Sequence, residues 1–159
     1  MAALGLNQLN ASAVGGGKED VFVEFQKVEI ISDGHPQGGF QMKMDKPDKE
    51  GVMQFEPCKV KEGTTIALRA TMKVFNDTVL GLDFRGNIKW KDMKVVVTED
   101  VRLGSFPPTE ELHVVNFMEN KMPSGYMSRT KYVGTGQFVD SEDRCHFMMR
   151  FTFNLEKDW

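Results

Sequence analysis

Hydrophobic and polar residues alternate with a period of two along most of the chain after residue 20, which predicts β-strands. Val23 and Phe25 are followed by Val28 and Ile30, so the alternation slips by one residue and predicts a β-bulge. The clearest strand spans residues 66–74, where every second side chain is apolar: Ile66, Leu68, Ala70, Met72 and Val74.

The second half of the chain continues the same pattern. Leu80, Leu82 and Phe84 are predicted to share one face of a strand, and further strands are predicted near residues 95–103 and 112–117. Residues 127–139 lead into an acidic turn at 140–143, which predicts a β-hairpin. Its return strand places a large apolar set on one face: Phe147, Met149, Phe151, Phe153 and Leu155.

Roughly eight or nine short strands without a helical segment predict an all-β fold. We expect an immunoglobulin-like antiparallel β-sandwich, and a closed up-and-down barrel is the alternative that patterning leaves open. Residues 1–20 show no sustained pattern and contain three consecutive glycines at 15–17. The expected organisation is therefore a short disordered N-terminal leader at 1–20 followed by one sandwich domain at 21–159.

Composition and charge exclude several classes of protein. The chain has 159 residues, with 20 basic against 23 acidic side chains and a net charge of −3, so its total charge favours neither nucleic acid nor an anionic membrane. No apolar run approaches the ~18 residues of a membrane span. Two cysteines are too few for a disulfide framework, and a reducing, cytoplasmic setting is expected.

Candidate catalytic and metal-binding groups are sparse. The three histidines lack the spacing of metal ligands, and residues 134–136 form a lone Gly-Thr-Gly on a predicted strand with no helix after it. Outside the acidic turn there is no paired-carboxylate arrangement. We expect no enzymatic activity, no metal and no cofactor, and a binding module is the default interpretation.

The methionine and phenylalanine content is unusual. There are 11 Met and 12 Phe against 2 Trp and 2 Tyr. These flexible, polarisable side chains can form an ordinary core, or they can line a cavity that accepts a flexible apolar ligand. Composition alone favours the ordinary core.

Four short segments, taken in order, carry a family resemblance: Val-Lys-Glu-Gly at 60–63, Gly-Ser-Phe-Pro at 104–107, Met-Pro-Ser-Gly at 122–125 and Asn-Leu-Glu-Lys-Asp-Trp at 154–159. Together they resemble the Rho GDP-dissociation inhibitors over about residues 22–159. The resemblance implies an immunoglobulin-like sandwich that binds a prenylated Rho/Rac-type GTPase, preferably GDP-bound, and buries its isoprenyl lipid between two sheets. It also implies extraction from membranes into the cytoplasm, and a monomer or a heterodimer with the GTPase. With this resemblance, a cavity becomes the preferred interpretation of the Met and Phe content.

The resemblance implies a lipid pocket formed by eight inward-facing positions: Val28, Ile30, Leu68, Leu82, Phe84, Gly134, Met149 and Phe151. Gly134 stands where the family has a bulky apolar residue, so we expect a larger slot there. Met149 and Phe151 stand where the family tends to have Trp, so we expect them to reshape the slot and to change the preferred length of the lipid.

The acidic turn is expected to meet the basic tail of the GTPase through Asp140, Glu142 and Asp143. The family's acidic arm is longer than the 18 residues at the start of this chain. If those residues are the whole natural N terminus, we expect lipid capture with weak inhibition of nucleotide exchange. Two other classes stay open: a delta-type carrier of prenylated or acylated cargo, and an interaction domain with a filled core.

Overall fold

The computed structural model describes residues 20–159, and the predicted leader lies outside that range except for its last residue. Within residues 20–159, eleven strands follow one another, with a short 3₁₀ turn at Tyr126–Ser128 before the tenth. They are β1 Phe22–Ile31, β2 Gly39–Met42, β3 Met44–Pro47, β4 Val52–Phe55, β5 Cys58–Lys61, β6 Thr65–Phe75, β7 Val79–Trp90, β8 Lys94–Phe106, β9 His113–Lys121, β10 Lys131–Val139 and β11 Cys145–Glu156.

The strands form two separate sheets, which confirms the predicted all-β sandwich and excludes the closed barrel. The smaller sheet has the order β2-β1-β6-β9, and the larger has the order β3-β4-β11-β10-β7-β8, with β5 also pairing with β11. β8 ends one sheet and β9 ends the other. These two edge strands therefore lie along the same open side of the sandwich, where they contact each other across the interlayer space.

The sequence pattern explains the inner face of the smaller sheet. The five alternating apolar residues of β6 are all buried, from Ile66 to Val74. In β1 the register against β6 shifts between Phe25 and Lys27, which confirms the predicted bulge. The bulge turns Val28 and Ile30 inward, and both are fully buried.

Three details differ from the sequence predictions. Leu80 does not share the buried face of Leu82 and Phe84, because Gly81 has a left-handed φ of +59° and the β7–β8 register shifts there. As a result, Val79 is buried and Leu80 is 50% exposed. Phe40, Met42 and Met44 alternate with polar residues, which predicts one strand, but this segment is divided between the sheets, with β2 in one and β3 in the other. Finally, β11 pairs in parallel with β4 and β5, so the larger sheet is mixed.

The core between the sheets is rich in aromatic rings. Phe138 lies at its centre, with ring centroids 4.7 Å from Phe25, 5.1 Å from Phe84 and 5.1 Å from Phe117. Among residues 20–159, no helix is long and apolar enough to cross a membrane. In the same described range, no group of three or more His, Cys, Asp or Glu side chains is placed to hold a metal ion.

Candidate functional site

The predicted pocket residues converge on the space between the two sheets. Val28, Ile30 and Leu68 come from the smaller sheet, and the larger sheet contributes the rest: Leu82, Phe84, Gly134, Met149 and Phe151. The seven that have side chains are at most 2% exposed. Burial places them in the core and leaves their role as ligand contacts a prediction, because the packed side chains of any sandwich would be buried in the same way.

A row of cross-strand neighbours on the larger sheet contains two adjacent glycines. The strand pairing sets Glu99 of β8 opposite Gly86, Gly86 opposite Gly136, and Gly136 opposite Met149 of β11. Gly86 and Gly136 therefore leave two neighbouring strands without side chains in the middle of the inner face. We call this pair the glycine gap.

The ring of Phe84 lies over the glycine gap. A Cβ atom at Gly86 would lie 2.6 Å from Phe84 Cζ, and one at Gly136 would clash with the same ring. Neither glycine has a left-handed φ. At Gly86 a Cβ atom would also lie 2.5 Å from the backbone carbonyl oxygen of Thr135, so the neighbouring strand and the Phe84 ring both exclude a side chain there. At Gly136 the close contacts are with the Phe84 ring.

Phe151 occupies the corresponding space at Gly134. A Cβ atom at Gly134 would clash with the Phe151 ring. The larger slot expected at Gly134 is therefore absent from this conformation, because the neighbouring aromatic side chain fills the space that the missing side chain leaves.

A cleft of about 350 Å³ opens to solvent along the β8–β9 side of the sandwich. Its walls include Ile66, Glu99, Val101, Phe117 and Met118. The Glu99 carboxylate accepts a hydrogen bond of 2.6 Å from the Met118 N–H, which links the two edge strands. We call this opening the β8–β9 cleft.

Phe117 connects the β8–β9 cleft to the glycine gap. It lines the cleft, and its ring centroid lies 4.5 Å from that of Phe84. Met118, the next residue, has a left-handed φ of +55°, and the β6–β9 register shifts between Ile66 and Leu68. This irregular part of β9 therefore lies between the open cleft and the aromatic core.

The three acidic residues of the turn are not equivalent. Asp140 is 3% exposed, whereas Glu142 and Asp143 are exposed. The Asp140 carboxylate accepts hydrogen bonds from the backbone N–H groups of Glu142 and Arg144, at 2.9 and 3.0 Å. Arg144 Nε and His146 Nε2 each lie 2.9 Å from its other oxygen. Contact of the three acidic residues with the GTPase tail stays a prediction, and Glu142 and Asp143 are the two whose side chains are exposed.

Burial and hydrogen bonding act in opposite directions on this cluster. Burial would raise the pKa of Asp140, but the hydrogen bonds from His146 and from two backbone N–H groups outweigh it and hold the pKa below its ordinary value. For His146, burial lowers the pKa, and the bond to Asp140 opposes this without reversing it. Asp140 thus organises the turn that presents Glu142 and Asp143.

The sequence analysis missed Gly86, Gly136, Phe117 and Glu99 as parts of this region. Glycine inside a strand pattern is a known signal for close approach of another group, and this signal could have singled out Gly86 and Gly136. Their side-by-side placement depends on the β7–β10 register. That register joins segments about fifty residues apart and is not readable from local alternation.

Comparison with known proteins decides the family. The family model described as "RHO protein GDP dissociation inhibitor" matches residues 2–158. The chain belongs to this family. Among curated members, Rho GDP-dissociation inhibitor 1 of Arabidopsis thaliana is 30% identical over 63% of this chain and 41% of its own length. The Rho GDP-dissociation inhibitor of Saccharomyces cerevisiae is 27% identical over 89% of this chain and 70% of its own length.

The fold has a counterpart among solved structures. A Niemann-Pick type C2 protein from the Japanese carpenter ant superposes with a TM-score of 0.50 at 9% identity, covering 85% of this chain and 93% of its own. At that identity the likeness concerns the fold alone.

Within the Rho GDP-dissociation inhibitor family, a putative member from Dictyostelium discoideum is 27% identical over 84% of this chain and 68% of its own length.

Proposed function

We propose that this chain binds prenylated Rho-family GTPases in the cytoplasm and takes their isoprenyl group between its two sheets. In this proposal it removes the GTPase from membranes and slows the release of GDP, without catalysing a reaction. The observation that carries the proposal is the match of the Rho GDP-dissociation inhibitor family model to residues 2–158, and the apolar interior between the two sheets supplies a place for the lipid. Membership of the Rho GDP-dissociation inhibitor family supports the choice of partner.

The energetics of an isoprenyl chain require such an interior. Each buried CH₂ gains ~0.8 kcal/mol, so a geranylgeranyl group of about 20 carbons loses on the order of 10 kcal/mol if it is left in water. A carrier must provide an apolar environment comparable to the bilayer. Methionines supply part of it, because Met42, Met72, Met118 and Met149 are all buried and can change rotamer around a flexible ligand.

The acidic turn is proposed to meet the basic segment that precedes the lipid. Glu142 and Asp143 supply the exposed charges, and Asp140 acts as a positioning residue through its bonds to the backbone of the turn. Exposed charges of this kind raise the association rate more than the affinity, and salt weakens their effect.

The proposal is tested by comparing three ligands for the same chain: geranylgeranylated Rho loaded with GDP, the unprenylated form of that GTPase, and a prenylated GTPase from another family. We expect binding to the first alone, together with slower GDP release. Equal binding of the unprenylated form would contradict lipid burial. Equal binding of both prenylated GTPases, with unchanged GDP release, would instead indicate a general carrier of lipidated cargo.

A further inference from the structure

We propose that Phe84 is a specificity-determining residue, whose ring occupies the glycine gap in the free protein and leaves it when an isoprenyl chain takes its place. This inference rests on the proposed function and adds the position of the lipid within the sandwich. The isoprenyl chain would lie across β10 and β7, between Met149 and the β8–β9 cleft.

The glycine gap spans two neighbouring strands. Gly86 and Gly136 are paired between β7 and β10, so two adjacent positions of the sheet lack side chains. Phe84 covers both of them from above. With that ring removed, the row from Met149 to Glu99 has no side chain in its two central positions.

An ordinary core has rings over glycines too, so the surroundings of Phe84 matter. Phe84 packs against Phe117, which lines the β8–β9 cleft. A cavity of ~150 Å³ accommodates a benzene molecule, and the cleft of about 350 Å³ therefore has room to receive a displaced ring. Because Phe117 lies between Phe84 and the cleft, a shift of both rings toward the open side would vacate the glycine gap without separating the two sheets.

The gap also explains how a filled interior can still accept a ligand. If the Phe84 ring must leave the gap before the isoprenyl chain can enter, only the molecules in which the ring has left can bind. The apparent affinity is then the intrinsic affinity multiplied by the fraction of such molecules. Removal of the ring should then strengthen binding, most of all for the longer chain. A side chain added at Gly136 should fill the gap again and weaken binding of the isoprenyl chain.

The experiment measures the affinity of the full chain for fluorescent farnesyl-cysteine and geranylgeranyl-cysteine methyl esters. We expect Phe84→Ala to bind the geranylgeranyl probe about tenfold more tightly than the unmodified protein, with a larger gain than for the farnesyl probe. Phe153→Ala is the control for loss of a buried ring: Phe153 is a fully buried ring of the same sheet, with its centroid 5.2 Å from Tyr132 and 6.1 Å from Phe151, and it does not contact the glycine gap. It should not strengthen binding of either probe.

The glycine side of the gap is tested in the Phe84→Ala background, where the clash that could unfold Gly136→Ala is absent. The double variant should lose the affinity gained by Phe84→Ala while keeping a cooperative thermal transition. If the unmodified protein binds the probes but Phe84→Ala behaves like Phe153→Ala, the inference is wrong and the proposed function stands. If neither probe binds any form of the protein, the proposed function itself fails.

Discussion

The glycine gap and the acidic turn lie in the same sheet but are held in opposite ways. Around the gap, Phe84 is fixed by non-directional packing against Phe117 and Phe138, with no hydrogen bond to define its position. In the turn, Asp140 receives four directed hydrogen bonds. We therefore expect the apolar region to rearrange around a ligand more readily than the hydrogen-bonded turn.

The largest loss of stability should come from a variant that disrupts the acidic turn. Asp140→Ala removes every bond that the carboxylate accepts and leaves His146 buried without that partner, so we expect a loss of about 3 kcal/mol in the free energy of unfolding. Chemical denaturation measures it. Asp143→Asn, at an exposed position of the same turn, is the control and should cost under about 0.5 kcal/mol. Equal effects of the two variants would refute the distinction between Asp140 and its neighbours.

A second variant tests the apolar region around the glycine gap by adding volume to it. Leu68 is buried and lies opposite Phe117 in the β6–β9 pairing, so Leu68→Trp adds volume next to the aromatic core. We expect a stability loss of about 1–3 kcal/mol and no measurable binding of prenylated Rho. Leu155→Trp adds the same volume at a buried position outside the predicted pocket. Binding that persists in folded Leu68→Trp would show that this side chain does not line the lipid site.

Acidification should lower the stability of the protein through the Asp140–His146 pair of the acidic turn. The pKa of His146 is below its ordinary value of 6.5, so the unfolded chain binds more protons than the folded one, and stability falls as the pH drops below about 6.5. The pKa of Asp140 is also depressed, and its contribution is lost as the pH falls below its ordinary value of 3.8 toward the folded pKa. Denaturation curves against pH should therefore show two declines, and His146→Gln should remove only the upper one. An unchanged upper decline in that variant would assign it to another group.

The smallest effect concerns the exposed charges of the turn. Replacing Glu142 and Asp143 together by Gln and Asn should slow association with prenylated Rho at low salt and change the free energy of binding by less than about 1 kcal/mol. Stopped-flow kinetics at two ionic strengths measure this. An association rate that is independent of salt in the unmodified protein would exclude a role for these charges.

Local alternation was enough to predict β6, the bulge in β1 and the buried face of β11, because these features depend on neighbouring residues. It failed at Leu80, because the conformation of Gly81 changes which side chain points inward. The burial of Asp140 is a tertiary effect, although an Asp that accepts N–H bonds from residues two and four positions later is a recognisable turn pattern. The glycine gap requires the β7–β10 register, which alternation does not provide.

The central claim, that the lipid lies between the sheets beside the glycine gap, is tested most directly by NMR of methionine methyl groups. Met149 borders the gap, whereas Met93 and Met127 are 68% and 72% exposed and serve as internal controls. On addition of geranylgeranyl-cysteine methyl ester, we predict intermolecular NOEs from the isoprenyl methyls to Met149 and none to Met93 or Met127. Contacts to the exposed methionines alone, with Met149 unchanged, would contradict the account.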